Sequence, residues 1–471
     1  MANGTKAPSA LRIYNTQTRT IAPFTTIEPN TVRMYVCGVT VYDSAHIGHG
    51  MSAIIFDMIR RYLEHRGYDV QHAQNFTDVD DKIIARSQRD GIDANDLVEG
   101  LITDWHRELA ALNIQPATVY PRATQEIPQI VQMIEGLIAS AHAYEVDGDV
   151  YFRVRSFPSY GKLSHRNIDD LLSGARIDID ERKEDPLDFA LWKAAKPGEP
   201  TWPSPWSAGR PGWHIECSAM CTHHLGGVVD IHGGGADLIF PHHENEIAQS
   251  EAYLGEEPFA HFWVHNGWLQ LGGEKMSKSL GNVINLSKIL DRGLAAEFRL
   301  MVLQSHYRAP FTYTEAALTA ARNGLDRLRI AANGSDLAGE RHSTDLDDLI
   351  ERTDARFHAA MDEDFDTPVA IAALFDLGRA INRESADGRS EASVASARSK
   401  LRELSEVLGL DLTARPQAAE GDVGPLLDLL VDIRSELREA KQWALADRIR
   451  DGLEDLGVSV EDTAAGSVWR R

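Results

Sequence analysis

The stretch VCGVTVYDSAHIGH, residues 36–49, decides the fold that the sequence predicts. The β-branched and aromatic residues 31–36 are typical of a buried strand, and residues 51–66 carry apolar side chains at helical spacing. A strand, a loop and the first turn of a helix follow one another here, which is where an open α/β sheet binds a nucleotide. His46 and His49 share one face of that turn, and Gly48 between them adds no side chain. Two imidazoles and the N–H groups of a helix N-terminus suit a polyphosphate.

Two short motifs carry a resemblance to a known family. HIGH at 46–49 is similar to the first signature of the class I aminoacyl-tRNA synthetases, and KMSKS at 275–279 is similar to the second. The flanking sequence narrows the resemblance to the cysteinyl-tRNA synthetase family; it comprises CGVTVYD at 37–43, TDVDDK at 77–82, GWHIECS at 212–218 and FPHHENE at 240–246. The resemblance extends from about Leu11 to the C-terminus. Because both signatures occur in the expected order and far apart, it is specific.

Composition limits the class of protein. The chain has 471 residues, 43% of them hydrophobic and 25% charged, as expected of a globular protein with more than one domain. No apolar run approaches the length of a membrane span and no signal peptide is visible, so we expect no membrane partner. Three cysteines cannot form a disulfide framework, which favours a cytoplasmic protein. The formal net charge of −23 argues against nucleic-acid binding through the overall field, so tRNA would have to contact a local basic surface.

The order of the elements predicts an α/β fold with additional helical domains. Residues 11–120 and 212–290 are predicted to form the two halves of a Rossmann-like, parallel-sheet catalytic domain, with residues 121–211 as a connective insertion between them. The remainder is predicted to comprise a stem-contact helical region at 291–333, a helical bundle at 341–411 and a small C-terminal domain at 426–471. The resemblance implies that this last domain binds the anticodon.

Two sets of residues are candidates for a metal site. The first combines two thiols, an imidazole and a carboxylate from distant parts of the chain: Cys37, Cys217, His242 and Glu246. Such a set can hold Zn²⁺ in four-coordination, although each residue could equally be a core thiol or part of a surface pair. The second set is compact in sequence: Cys217, Cys221, His223 and His224. The residues alone leave both open; the resemblance implies one zinc ion on the first set and a structural role for Cys221.

A further group of residues is predicted to bind ATP. Lys275 and Lys278 lie on a loop preceded by two glycines, where ammonium groups can close over a polyphosphate and stabilise charge on the departing pyrophosphate. The predicted ATP contacts are His46, Gly48, His49, Gly234, Asp237, Lys275 and Lys278. Of these, both histidines and both lysines are predicted to be catalytic, and the resemblance implies that Lys278 contacts the phosphates most directly. The glycines at 233–235 are predicted to follow a strand that ends at His232, and residues 242–253 are predicted to form a helix. Taken alone, Gly234 fits a plain turn and Asp237 fits a helix N-cap.

The resemblance implies the substrates and the reaction. L-cysteine would contact Gly38, Thr40, Thr77 and Trp213. A monomeric ligase would activate it with ATP and Mg²⁺ and transfer it to tRNA. One alternative is a mycothiol-type ligase that couples cysteine to an amino sugar, against which the C-terminal segment 426–471 argues. The other is a non-catalytic, zinc-dependent RNA-binding protein, for which damaged signatures would be expected; both signatures are intact.

Overall fold

The computed structural model describes residues 11–167, 182–271, 274–275, 283–334, 339–387, 390–413, 424–463 and 466–470. The chain divides into two compact units, Met1–Thr413 and Ala414–Arg471. Within the described ranges, no helix combines the length and apolar character needed to cross a membrane.

The first unit combines strands and helices. Its strands are β1 (Arg12–Asn15), β2 (Thr20–Pro23), β3 (Thr31–Thr40), β4 (Asp69–Thr77), β5 (Ala143–Val146), β6 (Asp149–Phe152), β7 (Phe189–Ala194), β8 (Gly209–Pro211), β9 (Val229–Gly235), β10 (Ala260–Asn266), β11 (Leu269–Leu271), β12 (Glu274–Lys275) and β13 (Phe311–Tyr313). Its helices are α1 (Ile47–His65), α2 (Asp81–Asp90), α3 (Ala94–Ala111), α4 (Ile127–Ala139), α5 (Trp213–Leu225), α6 (Glu244–Leu254), α7 (Ser287–Leu290), α8 (Ala295–Leu303), α9 (Glu315–Asn333), α10 (Thr344–Asp362), α11 (Thr367–Asp387) and α12 (Glu391–Val407).

A four-stranded parallel sheet in the order β10-β9-β3-β4 carries the predicted site. The strand order runs outward from the β3/β9 pair in both directions, which opens a crevice at the carboxyl ends of these strands. Helix α1 covers the sheet with fully buried side chains, among them Ile54, Met58 and Ile59. Each such side chain contributes about 1.5–3 kcal/mol relative to an exposed position. The α/β fold with a parallel sheet is therefore confirmed.

Along the chain, the segment between β4 and β9 forms a separate antiparallel sheet in the order β5-β6-β7-β8. It occupies the segment predicted to be the connective insertion. Helices α8 to α12 follow β10 and share one hydrophobic core with α1. The division of residues 11–413 into separate domains stays a prediction, because these residues form a single compact unit.

Arg299 in α8 connects the helical region to the sheet. It is 1% exposed, forms an ion pair with Asp57 of α1, and donates hydrogen bonds to the carbonyls of Leu112 and Leu408. A buried guanidinium requires such partners, because an unpaired charge in the interior is strongly unfavourable. The arrangement fixes α1, α3 and the end of α12 around one side chain.

Two local expectations were wrong. The glycines predicted to follow a strand at 233–235 are its last residues, because α1 packs close: a Cβ on Gly233 would lie 2.3 Å from Cε1 of Phe56. The helix predicted to start at His242 starts at Glu244. A single π-helical turn, Ile239–His243, precedes it, with extended backbone at Phe240.

The second unit contains α13 (Gly424–Glu439), α14 (Trp443–Asp455), β14 (Ser459–Thr463) and β15 (Gly466–Arg470). Strands β14 and β15 pair antiparallel. Leu427, Leu453 and Val458 form its small core, against which Trp469 packs. The indole N–H of Trp469 donates to Oδ1 of Asp428 over 2.7 Å.

Candidate active site

A cavity of about 400 Å³ opens at the carboxyl ends of the parallel strands. The predicted site residues that line it are Cys37, Gly38, Thr40, His46, Gly48, His49, Thr77, Trp213, Cys217, Asp237 and His242. Glu246 is fully buried and lies below the floor, with Oε1 3.3 Å from Sγ of Cys37. Strand order and the insertion thus bring together residues that are up to 209 positions apart in the chain.

His46 and His49 form the rim at the start of α1. Their rings stack with centroids 3.7 Å apart, and the Nδ1 of each accepts a hydrogen bond from the backbone N–H of the other over 3.3 Å. An Nδ1 that accepts a hydrogen bond carries no proton, so a neutral ring in this arrangement carries its proton on Nε2. The pair therefore presents two N–H donors at a helix N-terminus, as a phosphate site requires.

Gly38 allows β3 and β4 to approach each other beside the cavity. The pairing shifts register between Val36 and Val39, and a Cβ on Gly38 would lie 1.7 Å from the carbonyl oxygen of Asn75. The side chain of Asn75 accepts a hydrogen bond from the Gly38 N–H over 2.8 Å. Gly38 therefore shapes the cavity floor through its backbone, which is closer to the strand than any other residue type permits.

The four predicted metal ligands converge below the cavity. Their donor atoms all lie within 4.8 Å of one another, and Nε2 of His242 is 3.0 Å from Oε1 of Glu246. Around a tetrahedral Zn²⁺ with bonds of about 2.0–2.3 Å, donor atoms lie roughly 3.3–3.8 Å apart. The two separations from Oε1 of Glu246, 3.0 Å to His242 and 3.3 Å to Cys37, lie close to this range. The donor set, with two thiols, an imidazole and a carboxylate, therefore fits zinc.

Two members of this cluster, Cys217 and Glu246, have lowered pKa values that favour a cation, whereas Cys37 does not. Burial raises the pKa of the Cys37 thiol well above its ordinary value, and the hydrogen bond that Cys37 donates lowers the pKa of Cys217 to about 6. Burial also acts to raise the pKa of Glu246, but the imidazoles of His232 and His242 lower it well below its ordinary value. Nε2 of His232 lies 3.3 Å from Oε2 of Glu246, but this buried oxygen has no hydrogen-bond partner among the described residues.

Trp213 covers the cluster from the cavity side. It is 37% exposed, and its indole stacks on the imidazole of His242 with centroids 4.3 Å apart. The next residue, His214, places its Nδ1 2.9 Å from Nδ1 of His242 and therefore orients that ring. Burial and then the proximity of His242 lower the pKa of His214 well below its ordinary value.

Sequence reasoning missed a chain of buried histidines beneath the cluster. Nε2 of His243 is 3.3 Å from Sγ of Cys37, and its Nδ1 is 2.8 Å from Nε2 of His265. His265 in turn contacts the hydroxyl of Thr16 over 2.8 Å. The available signal was a polar residue near the end of an apolar strand, as at His232 and His265, because a buried ring nitrogen needs a partner.

Other predicted residues fall outside this arrangement. Gly234 does not line the cavity; a Cβ there would lie 2.9 Å from Cε1 of His243, whereas the adjacent Gly235 is a lining residue. Lys275 belongs to β12, which pairs with β11 at the rim. Lys278 falls within 276–282, which is outside the described residues.

The compact rival metal set does not form. Cys221 is fully buried in the hydrophobic core below α5. His223 and His224 instead contact the carboxylate of Glu126, over 2.7 and 2.8 Å. Both imidazoles are engaged by Glu126 and neither joins the thiols of Cys217 and Cys221, although the four residues are close in sequence.

Two family profiles match the chain. One is described as tRNA synthetases class I (C) catalytic domain and matches residues 23–323. The other is described as DALR domain and matches residues 356–413, which cover the end of α10, α11 and α12.

Similar proteins span almost the whole chain. A cysteine–tRNA ligase of Dehalococcoides mccartyi is 51% identical over 98% of this chain and 99% of its own length. The corresponding enzyme of Geobacter sulfurreducens is 46% identical, again over 98% of this chain and 99% of its own length. Among solved structures, Mycobacterium tuberculosis methionyl-tRNA synthetase in complex with methionyl-adenylate superposes with a TM-score of 0.58 at 18% identity, covering 85% of this chain and 94% of that one. This last similarity shows a shared fold.

Proposed function

The chain belongs to the cysteine–tRNA ligase family of class I tRNA synthetases, and we propose that it activates L-cysteine with ATP and joins it to tRNA in the cavity above β3 and β9. The cysteine carboxylate attacks the α-phosphate of ATP, which yields cysteinyl-adenylate and pyrophosphate. A ribose hydroxyl of the terminal adenosine of tRNA then attacks the adenylate carbonyl, and AMP leaves. Since no side chain acts as nucleophile, catalysis depends on orientation and charge stabilisation.

One observation supports this proposal: a single cavity has two histidines of a helix N-terminus at its rim and a cluster of metal-ligand side chains at its floor. The stacked His46 and His49 lie at the start of α1, whereas the convergent thiols of Cys37 and Cys217 lie at the floor. A substrate that spans both regions must join a phosphate-bearing part to a sulfur-bearing part. Cysteinyl-adenylate has this composition.

The rim residues would hold ATP. The Nε2–H groups of His46 and His49 would donate to phosphate oxygens, and Gly48 leaves the backbone accessible because a Cβ there would lie 3.0 Å from the His46 ring. Asp237 would accept hydrogen bonds from the ribose; its carboxylate fits because a Cβ on Gly235 would lie 2.4 Å from Asp237 Oδ1. Gly234 would contribute indirectly, because its lack of a side chain leaves room for Leu238 and His243 behind the ATP site. The ammonium groups of Lys275 and Lys278 would stabilise the phosphates, with Mg²⁺ bound to the ATP.

The floor residues would select cysteine. Cys37, Cys217, His242 and Glu246 would hold Zn²⁺, which supplies a Lewis acid that prefers a thiolate sulfur to a hydroxyl. Trp213 would exclude water above this group, and Thr77, with its hydroxyl 3.0 Å from Oε2 of Glu216, would position the substrate together with Gly38 and Thr40.

The remaining assignments follow from the proposed role. The second unit, including residues 426–471, would bind the anticodon of tRNA. We further propose a monomer that acts in the cytoplasm, where three unpaired thiols stay reduced.

Cysteine-dependent exchange between ATP and pyrophosphate tests the first step, and acylation of tRNA tests the second. The protein should catalyse exchange with cysteine and discriminate strongly against serine, and should then charge tRNA while leaving glucosamine-type acceptors unchanged. Exchange without tRNA charging, together with coupling of cysteine to an amino sugar, would overturn the proposal in favour of an amino-sugar ligase.

A further inference from the structure

Three donor side chains converge at a second location, on the outer end of the helix that carries Cys217. Nδ1 of His223 lies 2.7 Å from Oε2 of Glu126, and Nε2 of His224 lies 2.8 Å from Oε1 of the same carboxylate. The three donor atoms all lie within 4.8 Å of one another. None of these residues is used in the proposed reaction.

We propose that Glu126, His223 and His224 bind a second divalent transition-metal ion, of the Zn²⁺, Ni²⁺ or Co²⁺ class. Two imidazoles and a carboxylate are ligands that these ions favour. With metal–ligand bonds of about 2.0–2.2 Å, neighbouring nitrogen and oxygen donors lie roughly 2.9–3.4 Å apart. The two contacts with Glu126, 2.7 and 2.8 Å long, are slightly shorter than this range and would open when an ion enters.

The surroundings suit a cation with open coordination positions. His223 and His224 occupy the last turn of α5, where the carbonyl ends of the helix favour positive charge. The carboxylate of Glu126 is 9% exposed, whereas the side chains of His223 and His224 are 45% and 23% exposed. A buried anion therefore anchors the group while solvent can supply the remaining ligands.

The location predicts a structural effect. Glu126 immediately precedes α4, so an ion here would tie the start of α4 to the end of α5. His223 follows Cys217 by six residues, which is about 9 Å along the helix axis. The two groups share no ligand, and only the central one offers thiols, so the two ions can be distinguished by spectroscopy.

Cobalt substitution of the full-length protein tests the proposal. Metal-depleted protein that is reloaded with Co²⁺ and freed of excess ion should hold two ions per chain. The first should show thiolate-to-cobalt charge-transfer absorption and the second should not. A His223→Asn/His224→Asn variant should hold one ion and keep that absorption. Cys217→Ser should weaken the absorption and retain the second ion.

Matched variants separate binding from folding. Glu126→Gln keeps the shape of the side chain but replaces one acceptor oxygen with an amide donor, and should also lose one ion. His342→Asn removes an exposed imidazole that contacts a single carboxylate, Asp347, and should retain both ions. Ni²⁺ should raise the thermal midpoint of the wild type and leave that of the double variant unchanged. One cobalt ion per chain in the wild type, or two in the double variant, would overturn the proposal and leave only a hydrogen-bonded trio.

Discussion

His46 and His49 cap the first helix through each other: each Nδ1 accepts the backbone N–H of the other residue, and the two rings stack 3.7 Å apart. This reciprocal cap resembles a capping box in which imidazoles replace the usual hydroxyl and carboxylate. The cap links a structural role to the proposed catalytic one. Because Nδ1 accepts the backbone N–H, Nε2 is the nitrogen that would donate to ATP.

Two substitutions at His46 separate these roles. His46→Asn retains a good N-cap acceptor but removes the Nε2 donor, so we expect near wild-type stability and pyrophosphate exchange reduced roughly 100-fold or more. His46→Ala should lose exchange to a similar extent and also about 1 kcal/mol of stability. Chemical unfolding and exchange rates measure both. Undiminished exchange in His46→Asn would show that Nε2 does not contact ATP.

Cys217 and Cys221 lie one turn apart on α5, are 1% and 0% exposed, and differ in that only Cys217 belongs to the donor cluster. Cys217→Ser should lose most of the bound zinc and weaken cysteine binding at least tenfold, because a hydroxyl is a poor zinc ligand. Cys221→Ser is the matched control for a buried thiol and should retain the metal. Zinc content by mass spectrometry and cysteine binding by calorimetry distinguish them; zinc loss in the control alone would contradict the assignment.

Gly38→Ala should be severely destabilising. The new Cβ would lie 1.7 Å from a backbone oxygen of β4, which cannot move aside without separating β4 from β3. Gly100→Ala in α3 is the control: nothing lies within 4 Å of its Cβ position, and alanine should stabilise that helix by about 0.5–1 kcal/mol. Thermal unfolding compares the two. If Gly38→Ala were as stable as the wild type, β3 and β4 would be able to move apart at this position at little cost in stability.

Glu108 predicts a pH dependence of stability. Burial, and then the charge of Asp104, raise the pKa of Glu108 from 4.5 to about 7. Between these values the unfolded chain has lost the proton that the folded protein retains, so Glu108 makes stability fall as pH rises from about 4.5 to 7. Glu108→Gln should flatten the thermal midpoint over this window and raise it above that of the wild type at pH 8. The exposed Glu135→Gln should follow the wild type. Parallel curves for wild type and Glu108→Gln would refute the shift.

Removal of the second unit should separate the two half-reactions. A chain that ends at Thr413 keeps the buried Leu408, Leu410 and Leu412, and should catalyse cysteine-dependent exchange at a rate close to that of the full chain. Its tRNA charging should fall at least tenfold, because the proposed anticodon contacts are lost. Equal charging by both forms would contradict the proposed role of residues 426–471.

The sequence was most informative where the determining interactions are local. The strand β3, the helix α1 and its start near His46 were predicted from the spacing of apolar side chains within each short segment. The π-helical turn before Glu244 was not predicted, and it lies against a distant strand: a Cβ on Gly234 of β9 would be 2.9 Å from Cε1 of His243. The two signature motifs allowed the family to be identified, and the similarity to other proteins confirmed it.

The sequence by itself determined the α/β class, the family, and the residue types available for phosphate and metal binding. The tertiary structure alone decided which donors meet. It brought Cys37 to Glu246 across 209 positions, directed His223 and His224 away from Cys217 to Glu126, and placed three further histidines beneath the cluster. The reason is physical: helix and strand patterns arise from contacts a few residues apart, whereas the meeting of distant side chains depends on strand order and packing of the whole core.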